Sequence, residues 1–180
     1  MTRQILANVF FIFLLGLLFV GCTNQSPENS RKKDLKKVSA LNTELGFRYM
    51  QEREYDLAKK KIEKALAANP RNPEAHNAMG LLKNVLGKPN AAESSFAKAA
   101  ELSDNGPAIS NNFGQFLCQR GRHEEGIKYL NLAATNPLNG DRSVPHLNLG
   151  KCYKELRDYR KAEFHLKKSL SFSPKNKNAL

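Results

Sequence analysis

The chain has 180 residues, 41% of them hydrophobic and 26% charged, which suits one modest domain or a short repeat array but not two large domains. Aromatic residues make up 8% and Trp is absent, so helices with solvated faces are favoured over a β-sandwich. The net charge of +12 would suit a nucleic-acid binder. The basic residues, however, are spread along the chain with no aromatic-interleaved stripe, so we expect no nucleic-acid partner.

Residues 1–21 have the features of a secretory signal. Arg3 precedes an apolar run over residues 9–20, which is shorter than the roughly 20 residues needed to cross a hydrocarbon core. A basic n-region followed by such an h-region is typical of an export signal. We therefore predict a signal peptide; a soluble basic adaptor would require this segment to have another role.

The junction Gly21-Cys22 resembles the lipobox of bacterial lipoproteins, in which cleavage leaves a lipidated cysteine at the N-terminus. Phe19 departs from the pattern, since Leu is usual at that place. The resemblance implies that Cys22 carries lipid. Thr23 replaces the Asp that retains lipoproteins in the inner membrane, so it implies an outer-membrane protein facing the periplasm. An uncleaved anchor is the alternative.

Residues 22–37 are predicted to be a flexible tether, because they contain almost nothing to bury. The basic residues at 31–33 and 36–37 could lie against anionic lipid head groups. A solvated linker is the plainer interpretation.

From residue 38 to 180 the chain repeats itself. Aligned glycines lie 34, 34 and 36 residues apart, at Gly46, Gly80, Gly114 and Gly150. Twelve residues after each glycine comes a small residue, and sixteen after it a large apolar one: Ala58, Ala92, Gly126 and Ala162, then Ile62, Phe96, Leu130 and Leu166. This period is that of the tetratricopeptide repeat (TPR), a helix-turn-helix unit.

The pattern predicts an all-α TPR superhelix of about four repeats, over residues 39–72, 73–106, 107–142 and 143–176. The glycines and alanines permit close approach of paired helices, and the large residues fill the space around the crossing. Asn72 with Pro73 should start a helix, as should Gly106 with Pro107. The two extra residues before Gly150 fall in the loop-forming stretch 136–143.

A narrower resemblance rests on Asn111-Asn-Phe-Gly-Gln-Phe-Leu-Cys118 and on Leu147-Asn-Leu-Gly-Lys-Cys-Tyr153. These segments, and the order lipobox, tether, repeats, resemble the type IV pilus biogenesis lipoproteins called PilF or PilW. The resemblance implies a pilotin-like role in secretin assembly and pilus stability, with the outer-membrane secretin as protein partner. Members usually have six repeats, whereas this sequence stops where a fifth would begin, so a truncated nonfunctional remnant is an alternative.

No catalytic motif is present. The chain has no His-Glu-x-x-His, Cys-x-x-Cys, phosphate-binding glycine loop or Gly-x-Ser-x-Gly, so we expect no enzyme, metal, cofactor or small-molecule substrate. His76 and His146 occupy a packing position of the repeat, and His123 falls at a turn.

Binding through the inner helix of each repeat is the remaining function. We predict a concave wall whose amides hydrogen-bond an extended peptide and whose apolar residues add contact. The candidate partner-binding residues are Thr43, Phe47, Asn77, Leu81, Asn84, Asn111, Gln115, Gln119, Lys151 and Lys154. Ordinary solvated helix positions are the alternative for each. The client could belong to another envelope complex. The basic charge could serve an acidic partner, lipopolysaccharide or cell-wall polymer, or reflect a basic proteome.

Cys118 and Cys152 fall on the inner helices of adjacent repeats. Those helices pack side by side, and an exported chain meets an oxidising compartment, so we predict a disulfide. Two buried free thiols are the alternative.

Overall fold

A computed structural model describes residues 27–173, and that part is entirely helical apart from turns and loops. Its helices are α1 Pro27–Gln51, α2 Tyr55–Ala68, α3 Pro73–Val85, α4 Pro89–Leu102, α5 Pro107–Gln119, α6 His123–Thr135, α7 Ser143–Glu155 and α8 Tyr159–Phe172. Consecutive helices form the four predicted pairs, so the all-α prediction is confirmed. Among these helices none combines the length and the apolar character required to span a membrane.

Each inner helix meets its partner at the predicted glycine. A Cβ atom added to Gly46 would lie 2.6 Å from Ile62 Cγ1, and one added to Gly80 would lie 2.8 Å from Phe96 Cδ1. At Gly150 the nearest atom would be Leu166 Cδ2, at 2.6 Å. Real Cβ atoms do not approach that closely, so the glycines are required by the helix crossing.

In the third repeat two glycines face each other. A Cβ on Gly114 would lie 2.8 Å from the carbonyl oxygen of Gly126, and one on Gly126 would lie 2.5 Å from Cys118 Sγ. The backbones of α5 and α6 therefore approach each other directly, and Cys118 is held against α6.

Seven residues after the aligned glycine of each repeat, the turn within the pair passes through a residue with positive φ. Gly87 and Gly121 adopt positive φ values of 69° and 76°, and Arg53 and Arg157 occupy the same place in the outer repeats with φ of 62° and 60°. Between pairs, Asn72 Oδ1 accepts a bond from Ala75 N at 3.2 Å and caps α3, with Pro73 in its first turn. The predicted cap is confirmed.

The apolar core lies between helix pairs. Its centre is an aromatic cluster in which the ring centroid of Phe96 lies 5.9 Å from that of Phe113 and 5.1 Å from that of Phe116, all three buried. Tyr129 packs on Phe113 at 4.7 Å. The second and third repeats thus share one core.

The predicted tether is wrong for residues 27–37, which are helical. Lys, Arg, Leu and Glu have good helix propensity, and Glu28 pairs with Lys32 one turn later, with 2.6 Å between Oε1 and Nζ. These side chains are exposed as expected, but solvation did not prevent helix formation. The chain divides into two units between Asp34 and Leu35, and the repeats lie in the second. Cys22, the signal segment and residues 174–180 lie outside the described part.

Candidate protein-binding surface

Four asparagines on three inner helices form an amide ladder. Asn112 Nδ2 on α5 donates to Asn77 Oδ1 on α3 at 3.2 Å, and Asn148 Nδ2 on α7 donates to Asn111 Oδ1 on α5 at 2.9 Å. Asn111 Nδ2 approaches Asn112 Oδ1 at 3.4 Å, so the two links join. The inner surface of repeats two to four thus carries one continuous, preorganised row of amides.

Asn112 and Asn148 were missed by sequence reasoning. Each stands two residues before its glycine and pairs with the asparagine three before the glycine of the preceding repeat. The signal was available as Asn pairs 35 and 37 residues apart. It was overlooked because the alignment compared equivalent positions, whereas the rotation between repeats brings unequal positions together.

Asn111 and Asn112 are half-buried, while Asn77 and Asn148 are buried. Each asparagine amide has two hydrogens to donate and two oxygen lone pairs. Each ladder bond uses one hydrogen of the donor amide and one lone pair of the acceptor amide. The half-buried pair on α5 can therefore hydrogen-bond a peptide backbone while the ladder remains intact. Of the two predicted asparagines in the ladder, Asn77 and Asn111, Asn111 is the better placed for a partner.

The other polar residues predicted on this wall reach solvent. Gln119, Lys151 and Lys154 are exposed, and Asn84 and Gln115 are half-buried. Since Lys151 and Lys154 lie on α7, the fourth repeat contributes positive charge beside the ladder.

Phe47 and Leu81, predicted as apolar contacts, are partly used inside the protein. Phe47 packs against the core between the first two repeats, and Leu81 packs against the aromatic cluster. Both keep some exposure, so they can border a bound segment without presenting a whole side chain.

The prediction that Thr43 binds a partner is wrong. Its side chain is buried, with 4% exposure, because its Oγ1 donates to Ser39 O at 2.9 Å and accepts from Asn72 Nδ2 at 3.2 Å. Asn72 Nδ2 also donates to Ser39 Oγ at 2.8 Å. Thr43 thus belongs to a buried polar network that joins the first two repeats, and no partner can reach it.

Among the concavities along the described helices, two are lined by residues of the inner helices. One of about 210 Å³ lies between the first turns of α5 and α7 and is bordered by Asn111 and Asn112. The other, of about 710 Å³, has Met79 and Leu82 in its lining together with four lysines. Those lysines are Lys59, Lys83, Lys88 and Lys98.

Cys118 and Cys152 form a disulfide between α5 and α7, with their Cα atoms 5.6 Å apart. Both are buried beside Leu130 and Leu149. The bond ties the third and fourth repeats together behind the amide ladder.

The histidines have packing or surface roles in the described residues. His146 is buried, stacks on Phe172 with centroids 5.7 Å apart, and meets His165 with 3.0 Å between their Nδ1 atoms. Burial, with nearby Lys168, His165 and Arg142, lowers the pKa of His146 to about 4. His123 Nε2 lies 3.1 Å from Glu155 Oε2. Within residues 27–173 no three His, Cys, Asp or Glu side chains gather to hold a metal.

Comparison with known proteins agrees with this architecture. Residues 145–176 match the tetratricopeptide repeat family. Over 161 residues the chain is 29% identical to the type IV pilus assembly protein PilF of Pseudomonas aeruginosa, covering 88% of this chain and 64% of PilF. The crystal structure of PilW, described as a widely conserved type IV pilus biogenesis factor, superposes with a TM-score of 0.76 and 31% identity, over 79% of this chain and 65% of PilW. The chain is therefore similar in sequence and in fold to the tetratricopeptide-repeat proteins PilF and PilW.

The structure of Pseudomonas aeruginosa PilF superposes with a TM-score of 0.78 at 25% identity, over 81% of this chain and 66% of that structure. The chain therefore spans about two thirds of the length of these PilF and PilW proteins. A repeat array of this kind is typical of scaffolds that present an extended binding surface.

Proposed function

We propose that this TPR protein is a non-enzymatic scaffold in type IV pilus biogenesis that holds a client protein on its inner-helix wall. The observation that carries the proposal is the amide ladder, which offers backbone-type hydrogen bonds on a chain similar to PilF and PilW. A row of preorganised amides suits an extended segment, whose backbone presents a donor and an acceptor at every residue.

The client we propose is the outer-membrane pilus secretin, and the role is pilotin-like. Lipid on Cys22 would hold the scaffold at the inner leaflet of the outer membrane, facing the periplasm. Anchoring raises the concentration of a captured client beside the membrane that it must enter. The proposal rests on the lipobox-like Gly21-Cys22 and on the similarity to PilF and PilW.

A deletion strain tests the function. It should accumulate secretin monomers at the expense of the multimer and should show few surface pili, and the intact gene should restore both. Normal multimers and normal piliation without the protein would refute the pilotin role. Replacing Cys22→Ser separately tests the anchor: fatty-acid labelling and recovery in outer-membrane fractions should both be lost.

Charge reversal tests the wall. Lys151→Glu with Lys154→Glu should weaken co-purification of a client that carries acidic residues where its segment passes α7, because both lysine side chains are exposed there. Lys64→Glu with Lys128→Glu is the matched control, since it changes the net charge equally on the outer helices α2 and α6. Equal loss in both double variants would point to net charge and would contradict a specific role for this wall.

A further inference from the structure

The third connection between repeats is longer than the other two. Residues 136–142 join α6 to α7, whereas four residues, 69–72 and 103–106, suffice at the earlier connections. The extra length places Asn139 and Asp141 over the first turns of α5 and α7. Together with these turns they line an open concavity of about 210 Å³, which we call the loop pocket.

The loop is held in one conformation by its own side chains. Asn139 Nδ2 donates to Ala133 O at 2.9 Å, and Asn139 Oδ1 accepts from Asp141 N at 3.2 Å. Asp141 Oδ1 in turn accepts from Ser143 N at 2.9 Å. Such consecutive side-chain turns stiffen a loop, so the pocket is formed before anything binds.

The walls of the loop pocket are mostly apolar and its rim is polar. Pro107 and Ala108 of α5 face Val144 and Pro145 of α7, while Asn111 and Asn112 border it. A cavity of about 150 Å³ is enough to hold benzene, so one of this volume can take a bulky apolar side chain. The bordering amides are those that can hydrogen-bond a backbone.

One charged group stands at the mouth. Asp141 is exposed, and the bonds it accepts from Ser143 use its Oδ1. A carboxylate at that place is complementary to a lysine or arginine of a bound segment.

We propose that the loop pocket is a specificity subsite for the client: it takes one bulky apolar side chain of an extended peptide that has a basic residue beside it. The inference rests on the proposed scaffold function and adds the chemistry of the segment that is held. Asn111 and Asn112 bind the peptide backbone, the pocket selects the apolar side chain, and Asp141 selects the basic neighbour.

The test uses the full chain in detergent and a phage library of random linear heptapeptides. Enriched peptides should share a bulky apolar residue within two positions of Lys or Arg. The peptide that binds most tightly, made synthetically, should lose about 10-fold or more in affinity when its bulky apolar residue is changed to Ala. This loss is in line with the apolar surface area that the side chain buries. Fluorescence anisotropy measures the affinity.

Three variants of the chain, one of them a control, complete the test. Ala108→Leu fills the pocket from an exposed position and should weaken the peptide to the same degree, whereas Ala97→Leu, on the exposed face of α4, should leave binding unchanged. Asp141→Asn keeps the acceptor for Ser143 but should abolish the preference for a basic neighbour. Failure to enrich any peptide that Ala108→Leu weakens would overturn the subsite.

The outcome is separable from that of the proposed function. If peptides bind independently of Ala108 while the deletion strain still lacks pili, the scaffold function stands and the subsite is rejected. If Ala108→Leu abolishes peptide binding while the deletion strain has normal pili, the subsite stands and the pilus role is rejected.

Discussion

The first and third junctions between repeats follow the same glycine-centred pattern and are closed by different chemistry. At the first, Asn72 caps α3 and donates to the buried hydroxyls of Ser39 and Thr43. At the third, Cys118 and Cys152 are joined covalently. Glycine spacing therefore dictates where helices cross, but it leaves the contacts that hold neighbouring repeats together free to vary.

The second junction is different again, because Phe96, Phe113 and Phe116 fill it. Stability of a repeat array is approximately a sum of terms within repeats and between neighbours. A change at one junction should therefore destabilise that junction most, and the three junctions can be tested separately.

The largest expected effect is loss of the disulfide. A closed loop of 34 residues restricts the unfolded chain, so Cys118→Ser with Cys152→Ser should cost about 4 kcal/mol in the free energy of unfolding. Urea denaturation measures it, and hydrogen exchange should show the loss concentrated in α7 and α8. Alkylation of both thiols in unreduced, denatured wild-type protein would show that the bond is absent.

The next largest effect is expected from low pH, which should destabilise the fourth repeat. His146 is neutral when folded because its pKa falls from 6.5 to about 4, and it regains the ordinary value on unfolding. The stability that depends on a neutral His146 is therefore fully present above pH 6.5. It is lost as the pH falls through 4, which lowers the free energy of unfolding by up to about 3 kcal/mol. The groups facing it are His165 and Lys168 of α8 and Arg142 before α7; burial and Lys168 also lower the pKa of His165.

The matched pair for this experiment is His146→Phe and His76→Phe. Both residues stand four before their glycine, but His76 is only half-buried. The unfolding free energy of the His146 variant should fall less between pH 7 and pH 4 than that of wild type and than that of the His76 variant. Identical pH slopes for all three proteins would contradict this account of His146.

The smallest effect is expected at the first junction. Asn72→Ala removes a helix cap and two buried side-chain bonds, which should cost on the order of 2 kcal/mol. Asn131→Ala, at an exposed site on α6, is the control and should change the stability little. If Asn72→Ala costs no more than its control, the polar network contributes nothing to the joining of the first two repeats.

Much of the site could be predicted, with clear exceptions. Asn77 and Asn111 were identified because each is a polar residue at a position of the repeat that is predicted to lie on the concave wall. Asn112 and Asn148 were not identified, because the ladder joins positions that are not equivalent between repeats. Thr43 was misassigned because a hydroxyl at a wall position gives no sign that Asn72 buries it.

The sequence by itself determined the helix pairs, the crossing points and the starts of helices at Pro73 and Pro107. These depend on local information: where a glycine or alanine permits close approach, where an Asn or Pro starts a helix, and where a large residue recurs. The pairing of Cys118 with Cys152 also came from the sequence, because two inner helices one repeat apart lie side by side and an exported chain meets an oxidising compartment.

Only the tertiary structure decided which polar side chains meet across repeats. The amide ladder, the network around Asn72 and the lining of the loop pocket by Asn139 and Asp141 depend on the rotation between neighbouring pairs. The helical form of residues 27–37 was likewise absent from the hydrophobic pattern, because an exposed helix needs propensity and no buried face. The periodicity of the sequence shows which residues can be buried, and tertiary packing decides which neighbours they are buried against.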